Sequence, residues 1–364
     1  MRPFPLALIL AALAAPVGAR ADVTIAVAGP MTGSSASGGE QFRQGAEAAV
    51  ADINKAGGLL GQRVALMVAD DACDPKQAVA VANQITARRV PFVFGHYCSG
   101  STIPASLVYA EENTLQITIS SNPLVTERGI STLFRLTGRD DQQGAVAVKF
   151  LTDHFPGKKV AVVDDQSTFG RGLAVSVGDR LAAEGKLPVV LRASIVAGER
   201  DFSALVSRLK SAGAEIVYFG GYHTEAGLIL RQGREAGARY SLFGADPLAT
   251  TEFSQVAGAA AEGTLYTFSP DPRLDPKAAE LTSRFRAAGV EPEGYVLYAY
   301  AGVQLYANAV ARAGSLEARK VAATLHAGGL STFLGPISFD AKGDNTEPGY
   351  RVYRWTGGKS SYAD

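Results

Sequence analysis

The 364-residue sequence has only two cysteines and four histidines, and its formal net charge is zero. A neutral chain supplies no basic field to hold nucleic acid and no acidic tail. The histidines are scattered without metal-ligand spacing, which predicts structural or surface roles and no metal site; they are His96, His154, His223 and His326. These scarcities argue against a nucleic-acid-binding protein and against a metalloenzyme.

Enzyme signatures are also scarce. No G-x-G-x-x-G follows the first predicted strand, and the sequence has neither a G-x-x-x-x-G-K-[ST] loop nor a G-x-S-x-G elbow. Two acidic pairs, Asp70-Asp71 and Asp164-Asp165, each follow a predicted strand. Such pairs can serve acid–base or metal chemistry, although they more often cap the next helix. A hydrolase that uses them is an alternative, but we expect no catalytic residues, no cofactor and no enzyme.

The N-terminus has the pattern of a secretory signal peptide. Met1-Arg2 is followed by an apolar run, Leu6 to Leu13, which is too short to span a bilayer, and then by Ala19-Arg20-Ala21. This predicts a signal peptide over residues 1–21, cut after Ala21, and export to the periplasm. No later stretch of about 20 apolar residues appears, and no cysteine follows the cleavage site.

The two cysteines are consistent with export. An even pair in an oxidising compartment is usually a disulfide, and buried free thiols are the alternative for Cys73 and Cys98. A disulfide here would close a loop of roughly 25 residues and contribute about 3 kcal/mol to stability.

Apolar runs of strand length alternate with helix-period segments along the chain. Strands are predicted at 23–28, 64–68, 92–94, 116–119, 160–163, 189–191, 216–219, 241–243, 337–339 and 350–355. Helices are predicted near 42–53, 77–87, 102–112, 141–154, 172–184, 202–212, 225–236, 277–288, 294–313 and 317–327. The rhythm restarts after Arg135-Leu136, which predicts two doubly wound α/β lobes with a cleft between them.

Polar loops follow several of these strands. His96 to Ser101 and Ser120-Ser121-Asn122 offer hydroxyls, amides and a helix N-terminus, which are the groups that a carboxylate needs in a dry cleft. Helix capping alone is an equally good reading of these loops. Asp246, after the strand at 241–243, is a candidate partner for an ammonium group, although a lone acid there is more often a surface residue.

Several of these segments resemble the periplasmic leucine/isoleucine/valine-binding protein family. The segment from Asp70 to Asn83 is similar to its signature, and Gly95 to Thr102 resembles its ligand loop. Ala197 to Ser203 and Gly220 to His223 match motifs of the second lobe. The similarity runs from about Asp22 to Trp355. It implies a type I periplasmic binding protein with three crossovers: lobe one from 22–139 plus 269–346, and lobe two from 140–268 plus 347–364.

The resemblance also implies a ligand site. In the family, a serine at the position of Ser99 binds the ligand's carboxylate, the loop at 120–122 offers backbone and hydroxyl groups to its carboxylate and amine, and a glutamate at the position of Asp246 binds its ammonium. Cleft tyrosines fall on Phe169 and Tyr222. The implied disulfide joins Cys73 to Cys98. The expected ligand-binding residues are Tyr97, Cys98, Ser99, Ser120, Ser121, Asn122, Phe169, Tyr222 and Asp246.

The sequence departs from the family at the side-chain pocket. A pocket tyrosine of the family falls on Gly38, which we expect to open one wall, and Tyr97 replaces a leucine and is expected to fill another. A small amino acid, aliphatic, branched or a close analogue, is therefore the expected ligand. An ω-amino acid such as γ-aminobutyrate, proline, an amide or an aromatic acid is an alternative, as is a periplasmic sensor. The expected partner is the permease of an ABC transporter, and the protein is expected to be a monomer.

Overall fold

A computed structural model describes residues 22–363, so the predicted signal peptide and its cleavage site lie outside the described residues. The described chain forms two α/β lobes, each built around a mainly parallel β-sheet, and a small two-stranded antiparallel ribbon. Within these residues, none of the helices combines the length and hydropathy needed to cross a bilayer.

Lobe one is built on a five-stranded parallel sheet of order β2-β1-β3-β4-β5. Its strands are β1 (Val23–Gly29), β2 (Val64–Asp70), β3 (Phe92–Gly95), β4 (Leu115–Thr118) and β5 (Leu133–Arg135). The helices between them are α1 (Ala36–Lys55), α2 (Pro75–Ala87) and α3 (Ser99–Glu111).

Lobe two is built on a seven-stranded sheet of order β14-β13-β10-β9-β8-β6-β7, in which β13 and β14 pair antiparallel. In chain order its elements are α4 (Asp140–His154), β6 (Val160–Asp164), α5 (Thr168–Glu184), β7 (Val189–Ser194), α6 (Ser203–Ser211), β8 (Ile216–Gly220), α7 (His223–Glu235), β9 (Ser241–Gly244), α8 (Thr251–Ala257) and β10 (Leu265–Phe268). The chain then forms α9 (Ala279–Ala287), α10 (Val296–Ala313), α11 (Ala318–His326), β11 (Leu330–Thr332) and β12 (Gly335–Ile337), and ends with β13 (Arg351–Thr356) and β14 (Lys359–Tyr362).

Strand β1 shows why its sequence is a continuous apolar run. Ile25 and Val27 join the large core cluster on one face of the sheet, whereas Ala26 and Ala28 face a second cluster under α2 and α3. Helices α1 and α10 pack together on the first face. Because a parallel sheet is covered on both faces, alternate residues are all buried, and the small alanines let helices approach closely.

The chain passes between the two lobes three times: after β5, after β10, beyond which α10 packs against α1 of lobe one, and after β12. The first passage, residues 136–139, leads directly into α4. Because strands of both sheets end at this crossing region, the polar loops at their carboxyl ends face one another. A cleft at this place is where doubly wound sheets bind ligands.

Candidate functional site

A small cavity lies between the two lobes at the carboxyl ends of their strands. Its volume is about 10 Å³. This is room for about one water molecule. Seven of the nine predicted ligand-binding residues line it, together with Ile119 and Pro247; the seven are Tyr97, Ser99, Ser120, Ser121, Phe169, Tyr222 and Asp246. Two much larger cavities lie elsewhere within residues 22–363; one is lined by none of the nine predicted residues, and the other by Cys98 and Tyr222 alone among them.

Ser99 is the first residue of α3, three residues earlier than the apolar pattern predicts. Its side chain is buried, and its hydroxyl oxygen accepts a hydrogen bond from the backbone N–H of Asn122 at 3.3 Å. The N–H groups of a first helical turn have no acceptor inside the helix and carry a partial positive charge. The start of α3 therefore offers N–H groups and a hydroxyl to an anion in the cleft.

The loop at 120–122 is held in place from beneath by a buried arginine. Arg135, at the end of β5, is fully buried, and its guanidinium donates to the carbonyl oxygens of Ser120 at 2.9 Å and Asn122 at 2.8 Å. It also donates to Asp344 at 2.8 Å. Because these carbonyls are bound from below, the hydroxyls of Ser120 and Ser121 keep their place beside the cavity.

Asp246 begins a short 3₁₀ helix directly after β9 and is only 6% exposed. One carboxylate oxygen accepts from the amide of Gln143 at 2.8 Å, and the other accepts from the hydroxyl of Tyr295 at 2.5 Å. Both donors are neutral, so they do not balance the charge of Asp246. Burial raises the pKa of this carboxyl, although both hydrogen bonds act in the opposite direction. Asp246 thus places a buried carboxyl beside the cavity, and a cation bound next to it would favour its charged form.

A second acid, Asp140, belongs to the same region and was missed by the sequence reasoning. It is 1% exposed, and neither carboxyl oxygen makes a hydrogen bond of good geometry within residues 22–363. Burial, reinforced by the charge of Asp246, raises the pKa of Asp140 to about 8, whereas the Ser121 hydroxyl and Arg135 act the other way. No local motif marks this residue, because Asp246 lies more than 100 positions along the chain.

Aromatic rings close the other end of the cavity. The ring of Tyr97 lies 6.1 Å from that of Tyr222 and 5.9 Å from that of Tyr295, measured between centroids. Phe169 lies 5.5 Å from Tyr222. Tyr295 was also missed by the sequence reasoning, since it stands at the start of α10, far along the chain from the other rings.

The structure corrects the expectation that Gly38 opens a wall of the pocket. A Cβ atom built on Gly38 would lie 2.7 Å from ring carbons of Tyr97. Gly38 and Tyr97 therefore face the same space, and the Tyr97 ring occupies the volume that a side chain at position 38 would need. The small residue at position 38 and the large ring at position 97, the two departures from the family pattern, therefore offset each other in volume.

Cys98 and Asn122 are the two predicted ligand residues that do not line the cavity. Cys98 precedes α3 and is bonded to Cys73, as the composition and the resemblance predicted. The side-chain amide of Asn122 donates to the carbonyl oxygen of Thr168 at the start of α5, at 3.0 Å. Asn122 therefore spans the cleft and joins the two lobes, in place of facing the cavity.

The other candidate groups from the sequence are engaged in loop structure. The carboxylate of Asp70 accepts from the N–H groups of Met31 and Ala72, and Asp71 is 2.5 Å from Nδ1 of the fully buried His96. Asp164 and Asp165 each accept from the backbone N–H two residues ahead, at Gln166 and Ser167. Within residues 22–363, no cluster of three or more His, Cys, Asp or Glu side chains could hold a metal ion.

The lobes and the cleft define a two-lobed receptor for a small solute. A family profile described as "Periplasmic binding protein" matches residues 22–359, and the chain belongs to the periplasmic binding protein family. It is 46% identical over 340 residues to Leu/Ile/Val-binding protein homolog 1 of Brucella melitensis, covering 93% of this chain and 91% of that one. An amino acid binding protein of Pseudomonas aeruginosa is 47% identical over 341 residues, covering 93% and 91%.

Solved structures agree with this assignment. The leucine binding protein LivK of Thermotoga maritima superposes with a TM-score of 0.86 at 26% identity, covering 94% of this chain and 98% of that one. The substrate binding protein LivJ of Streptococcus pneumoniae, in complex with isoleucine, superposes with a TM-score of 0.84 at 26% identity, covering 93% and 98%. The fold is that of a type I periplasmic binding protein, as the sequence predicted.

Proposed function

We propose that this protein captures a small α-amino acid, aliphatic or branched-chain, or a close analogue, between its lobes for uptake by an ABC transporter. The observation that carries the proposal is the buried Asp246 carboxylate, which accepts from the neutral donors Gln143 and Tyr295 and faces a cavity whose opposite side holds hydroxyls and a helix N-terminus. An acid at one end and N–H and O–H donors at the other match the two charges of a zwitterion.

In this mechanism lobe one binds the carboxylate first. The hydroxyl of Ser99, the first-turn N–H groups of α3 and the hydroxyl of Ser121 would donate to it, whereas the hydroxyl of Ser120 donates to the carbonyl oxygens of His96 and Tyr97. Charge-assisted hydrogen bonds of this kind contribute about 1.5–3 kcal/mol each. Lobe two would then close, so that Asp246 meets the ammonium and the rings of Phe169 and Tyr222 exclude water. A ligand stabilises the closed form only if it contacts both lobes, as this one would.

The ring at position 97 favours a ligand with a short side chain. The ring of Tyr97 fills the space above Gly38 and stands against Tyr222. The Brucella relative is called a Leu/Ile/Val-binding protein homolog, and the Streptococcus LivJ structure holds isoleucine. These names support an amino acid as the ligand. The ring at position 97 supports a side chain smaller than that of leucine or isoleucine.

A specific observation supports an ω-amino acid or proline as the second candidate. Both retain the carboxylate and the positive nitrogen that Ser99 and Asp246 would hold, yet neither carries a branched side chain into the space that Tyr97 fills. An amide or an aromatic acid lacks a cation for Asp246, so the buried acid disfavours it.

The family supports a proposal for the cellular setting. We propose that the mature chain begins at Asp22, acts in the periplasm as a monomer without catalysis, and docks on an inner-membrane permease. We also propose that lobe one consists of 22–139 plus 269–346, and lobe two of 140–268 plus 347–364. The membership of the strands in the two sheets supports the assignment of 22–139 and 140–268, and the packing of α10 against α1 supports the placement of 269–346 in lobe one.

A thermal-shift screen tests the proposal. The panel consists of alanine, valine, leucine, isoleucine, proline and γ-aminobutyrate, with benzoate and glucose as solutes lacking a positive nitrogen. A solute at 100 times its dissociation constant stabilises the folded protein by about 2.7 kcal/mol, which is readily seen as a melting shift. We expect shifts with one or more of the six amino acids and none with benzoate or glucose. A shift with benzoate or glucose alone, or product formation from a bound solute, would refute the proposed function.

A further inference from the structure

A second, larger cavity lies between the lobes at the mouth of the cleft. Its volume is about 480 Å³, and it is next to the ligand cavity, because Tyr222 lines both. From lobe one it is lined by Ser34 and the Cys73–Cys98 disulfide, and from lobe two by the loops after β6 and β7 and the start of α7. Ser34 and Cys73 follow β1 and β2, at the opposite edge of the sheet from β5, where the first crossing between the lobes begins.

Two buried acids of lobe two line this mouth cavity. Asp165 follows β6 and Glu225 stands in the first turn of α7, and each is only 1% exposed. Oδ1 of Asp165 accepts from the backbone N–H of Ser167 at 2.9 Å and from its hydroxyl at 2.6 Å. Oε1 of Glu225 accepts from the backbone N–H of Gly198 at 2.8 Å. The second oxygen of each acid, Oδ2 of Asp165 and Oε2 of Glu225, has no hydrogen-bond partner within residues 22–363.

The two acids lie near each other without a positive partner. Within residues 22–363, no lysine, arginine or histidine forms an ion pair with Asp165 or Glu225. Burial raises the pKa of Asp165 to about 6; the bonds from Ser167 act the other way, and the charge of Glu225 adds to the effect of burial. A cation bound beside both acids would relieve this repulsion and balance their charge.

The lining of the mouth cavity favours an organic cation. Pro75, Val196 and the ring of Tyr222 add apolar and aromatic surface to the two acids, and the volume far exceeds that of a bare ion. Carboxylates bind the N–H groups of an ammonium through short, charge-assisted hydrogen bonds, and an aromatic ring attracts the same charge. A Cβ atom on Gly221 would lie 2.9 Å from Oδ2 of Asp165, so the glycine leaves this oxygen free of a neighbouring side chain.

We propose that the mouth cavity is a second ligand site, which binds the primary ammonium group of a small organic amine between Asp165 and Glu225. Oδ2 of Asp165 and Oε2 of Glu225 would each accept one N–H of the ammonium, while the bonds from Ser167 and Gly198 to the other oxygens remain in place. The site uses neither Asp246 nor the hydroxyls of lobe one, so it is independent of the proposed capture of an amino acid.

Thermal unfolding of the intact protein with 1,4-diaminobutane tests this. Tetramethylammonium, which has no N–H to donate, and sodium chloride at equal ionic strength are the control solutes. We expect 1,4-diaminobutane to raise the melting temperature and neither control to do so. A melting temperature that rises no more with 1,4-diaminobutane than with sodium chloride would overturn the proposal. An equal rise with tetramethylammonium would overturn it as well, because such binding needs no hydrogen bond to the acids.

Variants of the two acids place the bound amine. Asp165→Asn and Glu225→Gln keep the shape of each side chain but remove one charge, and we expect each to weaken binding of 1,4-diaminobutane by about tenfold to hundredfold. Glu235→Gln, at the exposed end of the same helix α7, is the matched control and should retain the native shift. Asp246→Asn should retain it too, because that acid belongs to the other cavity.

Two results with these variants would refute the assignment. One is a native shift in both Asp165→Asn and Glu225→Gln, and the other is loss of the shift in Asp246→Asn, which would place the amine in the ligand cavity. If neither Asp165→Asn nor Glu225→Gln folds, the comparison of 1,4-diaminobutane with tetramethylammonium on the native protein decides.

Discussion

At the scale of single residues, Asp246 carries the recognition of the positive nitrogen. Its carboxylate is buried and already holds two neutral donors, so an ammonium group would be its only charged partner among the groups of the cleft. Replacing it with asparagine leaves the shape but removes the charge. We expect Asp246→Asn to weaken amino-acid binding by about 3–5 kcal/mol, since the ammonium is then buried unpaired.

Calorimetry of this variant measures the loss directly. Asp153→Asn, at a partly exposed ion pair with Lys149, is a control in which binding should be unchanged. Native affinity in Asp246→Asn would contradict the role given to the acid.

Gly38 and Tyr97 should behave as a coupled pair. Tyr97→Leu opens the volume above Gly38, so binding should shift toward longer side chains, by about 1–3 kcal/mol for each methylene that the freed space accepts. Gly38→Ala should destabilise the native protein, because its Cβ would meet the ring 2.7 Å away.

A double-mutant cycle tests this coupling. In the Tyr97→Leu background, Gly38→Ala should cost little, which gives a non-zero interaction energy in thermal unfolding. Equal costs in both backgrounds would show that the ring does not oppose the new methyl group.

At the scale of secondary-structure elements, much of the fold was readable from the sequence. The strands from β1 to β4 and from β6 to β9 were predicted because parallel strands are continuous apolar runs. The short strands β5, β10, β11 and β14 and the seven-residue helix α8 were missed. Strand β10 has only four residues, so its identity depends on pairing with β9 and β13 and not on its own pattern.

The positions at which α3 and α5 begin explain why the site was predicted only in part. Helices α3 and α5 begin three and four residues earlier than their apolar periods indicate, at Ser99 and Thr168. Their first turns contribute Ser99 and Phe169 to the cleft and not to the core of a lobe, so they do not continue the apolar period of the helix. The loops around Ser99, Ser120 and Asp246 could be recognised at strand ends, but Tyr295 and Asp140 approach Asp246 only through the tertiary fold.

The disulfide is predicted to stabilise the start of α3. It joins Cys73, in the loop before α2, to Cys98, the residue before Ser99, across 25 residues. Replacing both cysteines with serine should lower the free energy of unfolding by about 3 kcal/mol. Chemical denaturation measures this, and amino-acid binding should weaken as well, because the first turn of α3 loses its anchor. An unchanged unfolding midpoint would show that the bond has no stabilising role.

At the scale of the whole molecule, the lobes are joined by contacts outside the ligand cavity. The hydroxyl of Thr224 in α7 donates to the carbonyl oxygen of Ser34 at 3.0 Å, and the Asn122 amide reaches Thr168. Such bonds exist only while the lobes are together. They therefore set how readily the cleft closes without touching the bound solute.

Removing one of these contacts should reduce the affinity for the amino acid, although the contact lies outside the ligand cavity. Thr224→Val deletes the hydroxyl at nearly constant volume, and we expect weaker amino-acid binding by about 0.5–1.5 kcal/mol. Small-angle scattering should show a larger radius of gyration for the free variant. Thr324→Val, in α11, removes a hydroxyl bonded only within its own helix and is the control. Unchanged affinity in Thr224→Val would mean that closure does not depend on this contact.

The shared space between position 38 and position 97 also restricts the order in which such a chain can accumulate mutations. A lineage that starts with a bulky residue at 38 cannot first acquire a ring at 97, because the two would overlap. A glycine at 38 would then be the permissive step, and the tyrosine would make that step hard to reverse. A change of nutrient preference along this route would thus be gained in two moves and retained by steric epistasis.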